Sequence, residues 1–101
     1  MHALSMREME RYDRQIRISE LGVEGQIKLK NSRVLVVGVG GLGGVAATYL
    51  TSAGVGFIRI VDNGVLELNN LNRQIPYSEK DLGRLKVEAA AERLKSLNSD
   101  I

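Results

Sequence analysis

The sequence has no cysteine and no tryptophan, one proline (Pro76), one histidine (His2) and only four aromatic residues among 101. Without cysteine, this stretch holds no disulfide, no cysteine-ligated zinc and no thiol nucleophile. With three tyrosines and one phenylalanine, a base-stacking platform for single-stranded nucleic acid is not expected. An excess of one charge is missing too. Fourteen Lys and Arg face 12 Asp and Glu, a net charge of +2, and no basic cluster reads as a nucleic-acid footprint. No apolar run approaches the roughly 18 residues of a membrane span. The start, Met1-His2-Ala3-Leu4-Ser5, is too polar for a signal peptide. We therefore expect no nucleic-acid partner, no membrane and a cytoplasmic location. His2 is given no role.

What is present is the composition of an ordinary globular protein, 44% hydrophobic and 26% charged. The length permits one domain at most and reads as part of one. Residues 1–32 form an N-terminal helical segment. In it Met9, Tyr12 and Ile16 recur at helical spacing between Ser5 and Ile18, and Ser5 followed by Glu8 reads as a capping box. Gly22 and Gly25 interrupt that pattern. A short helix is expected over Val23–Leu29, then a turn at Lys30-Asn31-Ser32.

Arg33-Val34-Leu35-Val36-Val37 is a continuous, mostly β-branched run, the pattern of a strand buried on both faces in a parallel sheet. A glycine-rich turn, Gly38 to Gly44, leads to a helix of small residues over Val45–Ala53, ended by Gly54. A second strand, Phe57–Val61, closes on Asp62. Strand, turn, helix and strand within about 30 residues make a βαβ unit. Asn63-Gly64 is a turn, Val65–Gln74 an irregular loop, and Pro76 stops it. Ser78–Asp81 begins a new element. Arg84–Leu97 is an amphipathic helix with Leu85, Ala89, Leu94 and Leu97 on its apolar stripe. The fold class is α/β. Residues 33–101 read as the incomplete first part of a Rossmann-like doubly wound domain with a mainly parallel sheet, preceded by N-terminal helices. Two strands and their helices would leave a sheet edge and an apolar face open, so the chain is expected to be part of a larger domain.

Gly38-Val39-Gly40-Gly41-Leu42-Gly43 fits G-x-G-x-x-G. In this geometry Gly38 permits the tight turn, Gly40 lets the backbone approach phosphate, and Gly43 allows close helix–strand packing. The helix N-terminus then offers free N–H groups and the positive end of its dipole. Asp62 follows Gly43 by 19 positions, where a carboxylate accepts hydrogen bonds from ribose hydroxyls. A turn chosen for packing alone would not need five glycines in seven positions, given their backbone entropy. This much points to a nucleotide and leaves NAD, FAD and ATP open.

Five segments in order narrow the choice: Arg11-Tyr12-Asp13-Arg14-Gln15, the run Val37 to Gly43, Asp62, Asn70-Leu71-Asn72-Arg73-Gln74, and Gly83-Arg84-Leu85-Lys86. Together they resemble the E1-like family of ubiquitin-activating enzymes and of molybdopterin-synthase and thiamine sulfur-carrier adenylyltransferases, the bacterial sulfur-carrier members above all. The resemblance runs from about Glu10 to Asp100. It implies an ATP-dependent adenylyltransferase that activates the C-terminal carboxylate of a ubiquitin-like sulfur-carrier protein, releasing pyrophosphate, and that works as a homodimer with ATP and Mg²⁺. Such chemistry needs cations and N–H donors fixed in advance around a polyphosphate, with Arg binding bidentately and Lys as a point charge.

By the same resemblance, Arg73 and Lys86 hold phosphate and Asn70 contacts the nucleotide nearby. Gly41 lines the adenosine site, Asp62 binds ribose, and Arg14 reaches into the partner subunit's site. The family's magnesium aspartate and zinc cysteines are implied to lie outside these residues, so the resemblance implies an N-terminal piece that is inactive by itself. One departure stands out: close relatives often carry a second acid two positions after the ribose aspartate, where this chain has Gly64. Two other readings compete. A dinucleotide-dependent oxidoreductase shares the glycine turn and Asp62 but has no place for Asn70–Gln74, Gly83–Lys86 or the Arg-rich first helix. A non-catalytic scaffold subunit of an E1-like heterodimer is disfavoured by the presence of Arg14, Asp62, Arg73 and Lys86.

Overall fold

Ser5 starts the first helix as its spacing predicts: its Oγ accepts the Glu8 N–H at 3.0 Å, and Glu8 Oε1 accepts the Ser5 N–H at 2.9 Å. The structure is a computed structural model that describes residues 3–101, so His2 lies outside it. The helical stretch from Ser5 to Ile18 is not one helix but two, α1 (Met6–Arg11) and α2 (Asp13–Ile16). The break falls at Tyr12, whose backbone leaves the helical region at φ −101° and ψ 13°. The break turns the Tyr12 ring inward, where it is 3% exposed and its hydroxyl accepts from Asn98 Nδ2 at 2.9 Å. Helix α3 spans Gly22–Lys30, bracketing the expected Val23–Leu29.

Strands β1 (Arg33–Val37) and β2 (Phe57–Val61) pair in parallel, with Arg33 opposite Phe57 and Val37 opposite Val61. Helix α4 (Gly41–Ala53) connects them and α5 (Lys86–Leu97) packs beside it. Both helices lie on the same side of the sheet. Val34, Val36, Ile58 and Ile60 turn to that side and meet Ala47, Leu66, Ala89, Ala90 and Leu94 in the core. Burial on both faces, expected from the apolar runs, is therefore found on one face only. On the other, Leu35 is 58% exposed and Val37 75%, while the Arg33 guanidinium lies 4.0 Å from the Phe57 ring centroid.

Two helix starts differ from the sequence reading, for opposite reasons. Helix α4 begins at Gly41, not Val45, although glycine is a poor helix former. Close packing overrides propensity there, since a β-carbon on Gly43 would lie 1.6 Å from the Gly38 carbonyl oxygen. Helix α5 begins at Lys86, not Arg84. Gly83 adopts φ +83°, and the segment after it runs extended, its Leu85 bridging antiparallel to Val65. Leu85 is thus 45% exposed and outside the stripe, which Ala89, Ala90 and Leu94 carry. The loop between the strand pair and α5 contains two 3-10 turns, Leu68–Asn70 and Glu79–Asp81, the second capped by Ser78 and Asp81.

At the end of the sheet where the strands begin, the N-terminal helices are tied in by buried amides. Gln15 Nε2 and Gln26 Nε2 both donate to the Ala53 carbonyl at 2.8 Å. Asn98 Nδ2 also donates to the Thr51 carbonyl at 2.9 Å. Gly54, at φ +96°, ends α4 there, and a β-carbon on it would strike Gln26 and Tyr12.

Candidate nucleotide site

The opposite end of the sheet is built around one peptide segment. Gly38 leaves β1 at φ +88° and donates its N–H to the Val61 carbonyl at 2.7 Å. The chain then turns inward through Val39, which is fully buried. Val39 is held from two sides. Its N–H donates to Asp62 Oδ2 at 2.9 Å, and its carbonyl accepts the Tyr77 hydroxyl at 2.6 Å. Gly40 follows as the N-cap of α4 and offers no side-chain cap, so the first-turn N–H groups of α4 are left for another acceptor, the usual anion site of a helix start. A β-carbon on Gly40 or Gly41 would meet only side chains of the following loop, Gln74 at 3.6 Å and Arg73 at 3.8 Å.

Asp62 ends β2 beside this turn. Each of its oxygens already accepts a backbone N–H, that of Val39 and, at 2.6 Å, that of Gly64. The Val39 N–H is the strongest influence holding this carboxyl below the usual aspartate range. Burial opposes it, and the Gly64 N–H and the Lys86 charge reinforce it. Asp62 is thus an ionised tie on the turn, with one lone pair per oxygen left for a donor.

Lys86, at the first position of α5, is on the other side of Gly64. A β-carbon there would stand 2.9 Å from Asp62 Oδ1 and 3.3 Å from Lys86 Cδ. A surface pairing of Lys86 with Asp81 or Glu88 is not what forms. Arg84 takes Asp81 at 2.9 Å and Glu92 at 3.2 Å instead, and among the described residues Lys86 makes no ion pair.

Arg73 is exposed, with its methylene carbons over Gly41. Its Nη1 donates to the Asn69 carbonyl at 3.1 Å and to Asn72 Oδ1 at 2.9 Å, and among the described residues it has no carboxylate partner. Asn70 shapes the loop that carries it: Oδ1 accepts the Glu67 N–H at 2.9 Å, and Nδ2 donates to Asn69 Oδ1 at 3.2 Å. The glycine turn, Asp62, Arg73 and Lys86 thus share one end of the sheet. Arg14 does not join them. It sits on α2 with its side chain 83% exposed and pairs with Asp13 at 2.6 Å.

Sequence reasoning missed two members of this end. Tyr77 is 8% exposed, and its hydroxyl pKa is pushed up to about 12, first by burial and then by the charges of Asp62 and Asp81. Gln74 is 5% exposed and its Oε1 has no hydrogen-bond partner. The only signal for either was its place beside Arg73 and the single proline. Among the described residues no three His, Cys, Asp or Glu side chains stand together as metal ligands, and no helix is long and apolar enough to cross a membrane.

Comparison with known proteins gives this end its setting. The ThiF family model matches residues 12–101. The adenylyltransferase and sulfurtransferase MOCS3 of Culex quinquefasciatus is 51% identical over 98 residues, covering 97% of this chain and 22% of that protein. The adenylyltransferase and sulfurtransferase UBA4 of Saccharomyces cerevisiae (strain YJM789) is 52% identical over 101 residues, covering 99% and 23%. The chain spans under a quarter of the length of these relatives. Among solved structures, E. coli MccB with ATP superposes with a TM-score of 0.82 at 36% identity, over 90% of this chain and 28% of that one. E. coli tRNA N6-threonylcarbamoyladenosine dehydratase, TcdA, with AMP gives 0.91 at 29% identity, over 99% and 40%. The strand pair and its helices are thus the opening of the Rossmann-like fold of these enzymes.

Proposed function

Because this chain belongs to the ThiF family, we propose that it forms the ATP-binding front of an adenylyltransferase acting on a ubiquitin-like sulfur-carrier protein. The observation that carries this reading is the pair of cations without carboxylate partners, Arg73 and Lys86, beside the uncapped start of α4 and the ionised Asp62. A triphosphate would give these cations and the free N–H groups at the start of α4 an anionic partner. The relatives named as adenylyltransferases, and the MccB and TcdA structures named with ATP and AMP, support the same choice.

In the reaction a carboxylate oxygen of the carrier's C-terminus attacks the α-phosphorus. The bond from that phosphorus to the β-bridging oxygen breaks, and pyrophosphate leaves with the electron pair. Arg73 and Lys86 hold phosphate oxygens and offset the charge that builds in the transition state. Gly38, Gly40, Gly41 and Gly43 keep the turn bare enough for phosphate and adenosine to approach. Asp62 offers its remaining lone pairs to ribose, and Asn70 its remaining amide hydrogen to the nucleotide. Arg14, exposed and remote from this cluster, reaches the site of a second copy in a homodimer. Mg²⁺ accompanies the triphosphate. Asp62 is already doubly bonded to backbone N–H groups, so no residue here is assigned to the metal. A cytoplasmic setting, where ATP is abundant, completes the reading.

Equilibrium titration of the full-length protein carrying this chain with ATP and with NAD tests the proposal. ATP should bind more tightly; equal or tighter binding of NAD would refute it.

A further inference from the structure

Residues 73–77 cross the glycine turn side chain by side chain. Arg73 lies over Gly41 and Gln74 over Gly40. Pro76 lies against Gly44, where a β-carbon would come within 3.0 Å of Pro76 Cδ. Gly44 is outside the G-x-G-x-x-G fingerprint, so its lack of a side chain answers to this strap and not to the phosphate.

The Tyr77 ring packs into the core, but few hydrogen bonds hold the strap. After the Gln74 N–H donates to the Asn70 carbonyl at 3.0 Å, no backbone–backbone hydrogen bond begins or ends at Ile75, Pro76 or Tyr77 among the described residues. The Tyr77 hydroxyl bond to Val39 is the one hydrogen bond these three residues make there. Val39 is in turn gripped through its N–H by Asp62.

We propose that Tyr77 is a positioning residue for phosphate chemistry. Its hydroxyl and the Asp62 carboxylate clamp Val39 from opposite sides. This pins the strap, and the Arg73 guanidinium at its head, over the turn that receives the phosphates. The inference rests on the ATP reading above and adds a coupling: the glycine turn and Arg73 keep their relation only while the clamp is closed. The hydroxyl is buried with two carboxylates nearby, so it stays protonated and donating at any working pH.

The test uses the full-length protein and a double-mutant cycle. Tyr77→Phe keeps the ring and deletes the donor. In the wild-type background it should lower the rate of pyrophosphate–ATP exchange about tenfold, the scale of one lost hydrogen bond. In an Arg73→Ala background the same change should cost less than about twofold, since there is no guanidinium left to misplace. A merely structural tyrosine would lower both backgrounds equally, and that result, or no loss at all, overturns the clamp.

If Tyr77→Phe yields little folded protein, Gly44→Ala presses on the strap from Pro76 and should show the same dependence on Arg73. Amide hydrogen exchange gives a readout apart from activity. Tyr77→Phe should speed exchange at the hydrogen-bonded amides of Val39, Arg73 and Gln74, and unchanged exchange counts against the clamp. A wild type that exchanges no pyrophosphate sinks the ATP reading and the catalytic meaning of the clamp together, whereas an active wild type without coupling sinks the clamp alone.

Discussion

Where the strands begin, the side-chain amides of Gln15, Gln26 and Asn98 point inward and find partners, at Ala53, Thr51 and Tyr12. Where the strands end, Arg73 and Lys86 have no carboxylate partner among the described residues, Gln74 Oε1 has none at all, and the start of α4 is uncapped. Buried polar groups are costly unless paired. The first end therefore contributes stability, and the second is the end we propose receives the nucleotide. Thr51 Oγ1, buried without a partner at the first end, is the one exception, and nothing in the structure explains it.

The sharpest way to break this comparison is to attack the glycine on which the turn between β1 and α4 depends. Gly43→Ala places a β-carbon 1.6 Å from the Gly38 oxygen, a backbone clash with no flexible side chain to yield. We expect loss of the fold itself, a destabilisation above about 4 kcal/mol. Gly41→Ala meets only the Arg73 side chain, no nearer than 3.8 Å, so it should melt like the wild type. Thermal unfolding of the two variants checks the contrast, and equal melting would refute it.

A smaller effect is expected at the end where the strands begin. Asn98→Ala removes three hydrogen bonds: it leaves the buried Tyr12 hydroxyl and Thr51 carbonyl without that donor and the Asp100 N–H without its acceptor. Chemical denaturation should show a loss of about 2–3 kcal/mol, while ATP affinity per folded molecule stays unchanged. A fall in that affinity would show that the two ends are not separate.

The smallest expected effect is electrostatic. The folded pKa of Asp62 is lowered, first by the Val39 N–H, against burial, with help from the Gly64 N–H and Lys86. Its contribution to stability is therefore complete above the unfolded aspartate value of about 4 and is lost as pH falls through the lowered folded value. Asp62→Asn should flatten the acid limb of the stability profile in that window and leave the profile above pH ~5 parallel to the wild type. An unchanged acid limb would mean that Asp62 is not tied to the turn.

The two ends were not equally legible. Strand boundaries at Arg33–Val37 and Phe57–Val61 followed from β-branched runs, and the Ser5–Glu8 cap from a spacing rule, because both are local patterns. The glycine fingerprint and Asp62 were legible for the same reason, since each glycine answers a local geometric need. Tyr12, Gln26 and Asn98 were not recognised as a buried network, because their partners lie far along the chain; Tyr12 and Asn98 are 86 positions apart. The same holds for Tyr77, which reaches back 38 positions to Val39. The open sheet face was misread because an apolar run says that a strand can be covered on both sides and not that it is. Arg14 entered by resemblance alone, and its exposed position on α2 carries no signal from within one chain.

The central claim is that the end holding Arg73 and Lys86 activates a carboxylate with ATP. It is met most directly by incorporation of labelled pyrophosphate into ATP, catalysed by the full-length protein with its carrier and Mg²⁺. The wild type should exchange. Arg73→Ala and Lys86→Ala should each lower the rate by about tenfold to a thousandfold with melting temperatures unchanged, because neither side chain makes an ion pair within the described fold. Undiminished exchange in both variants would contradict the account.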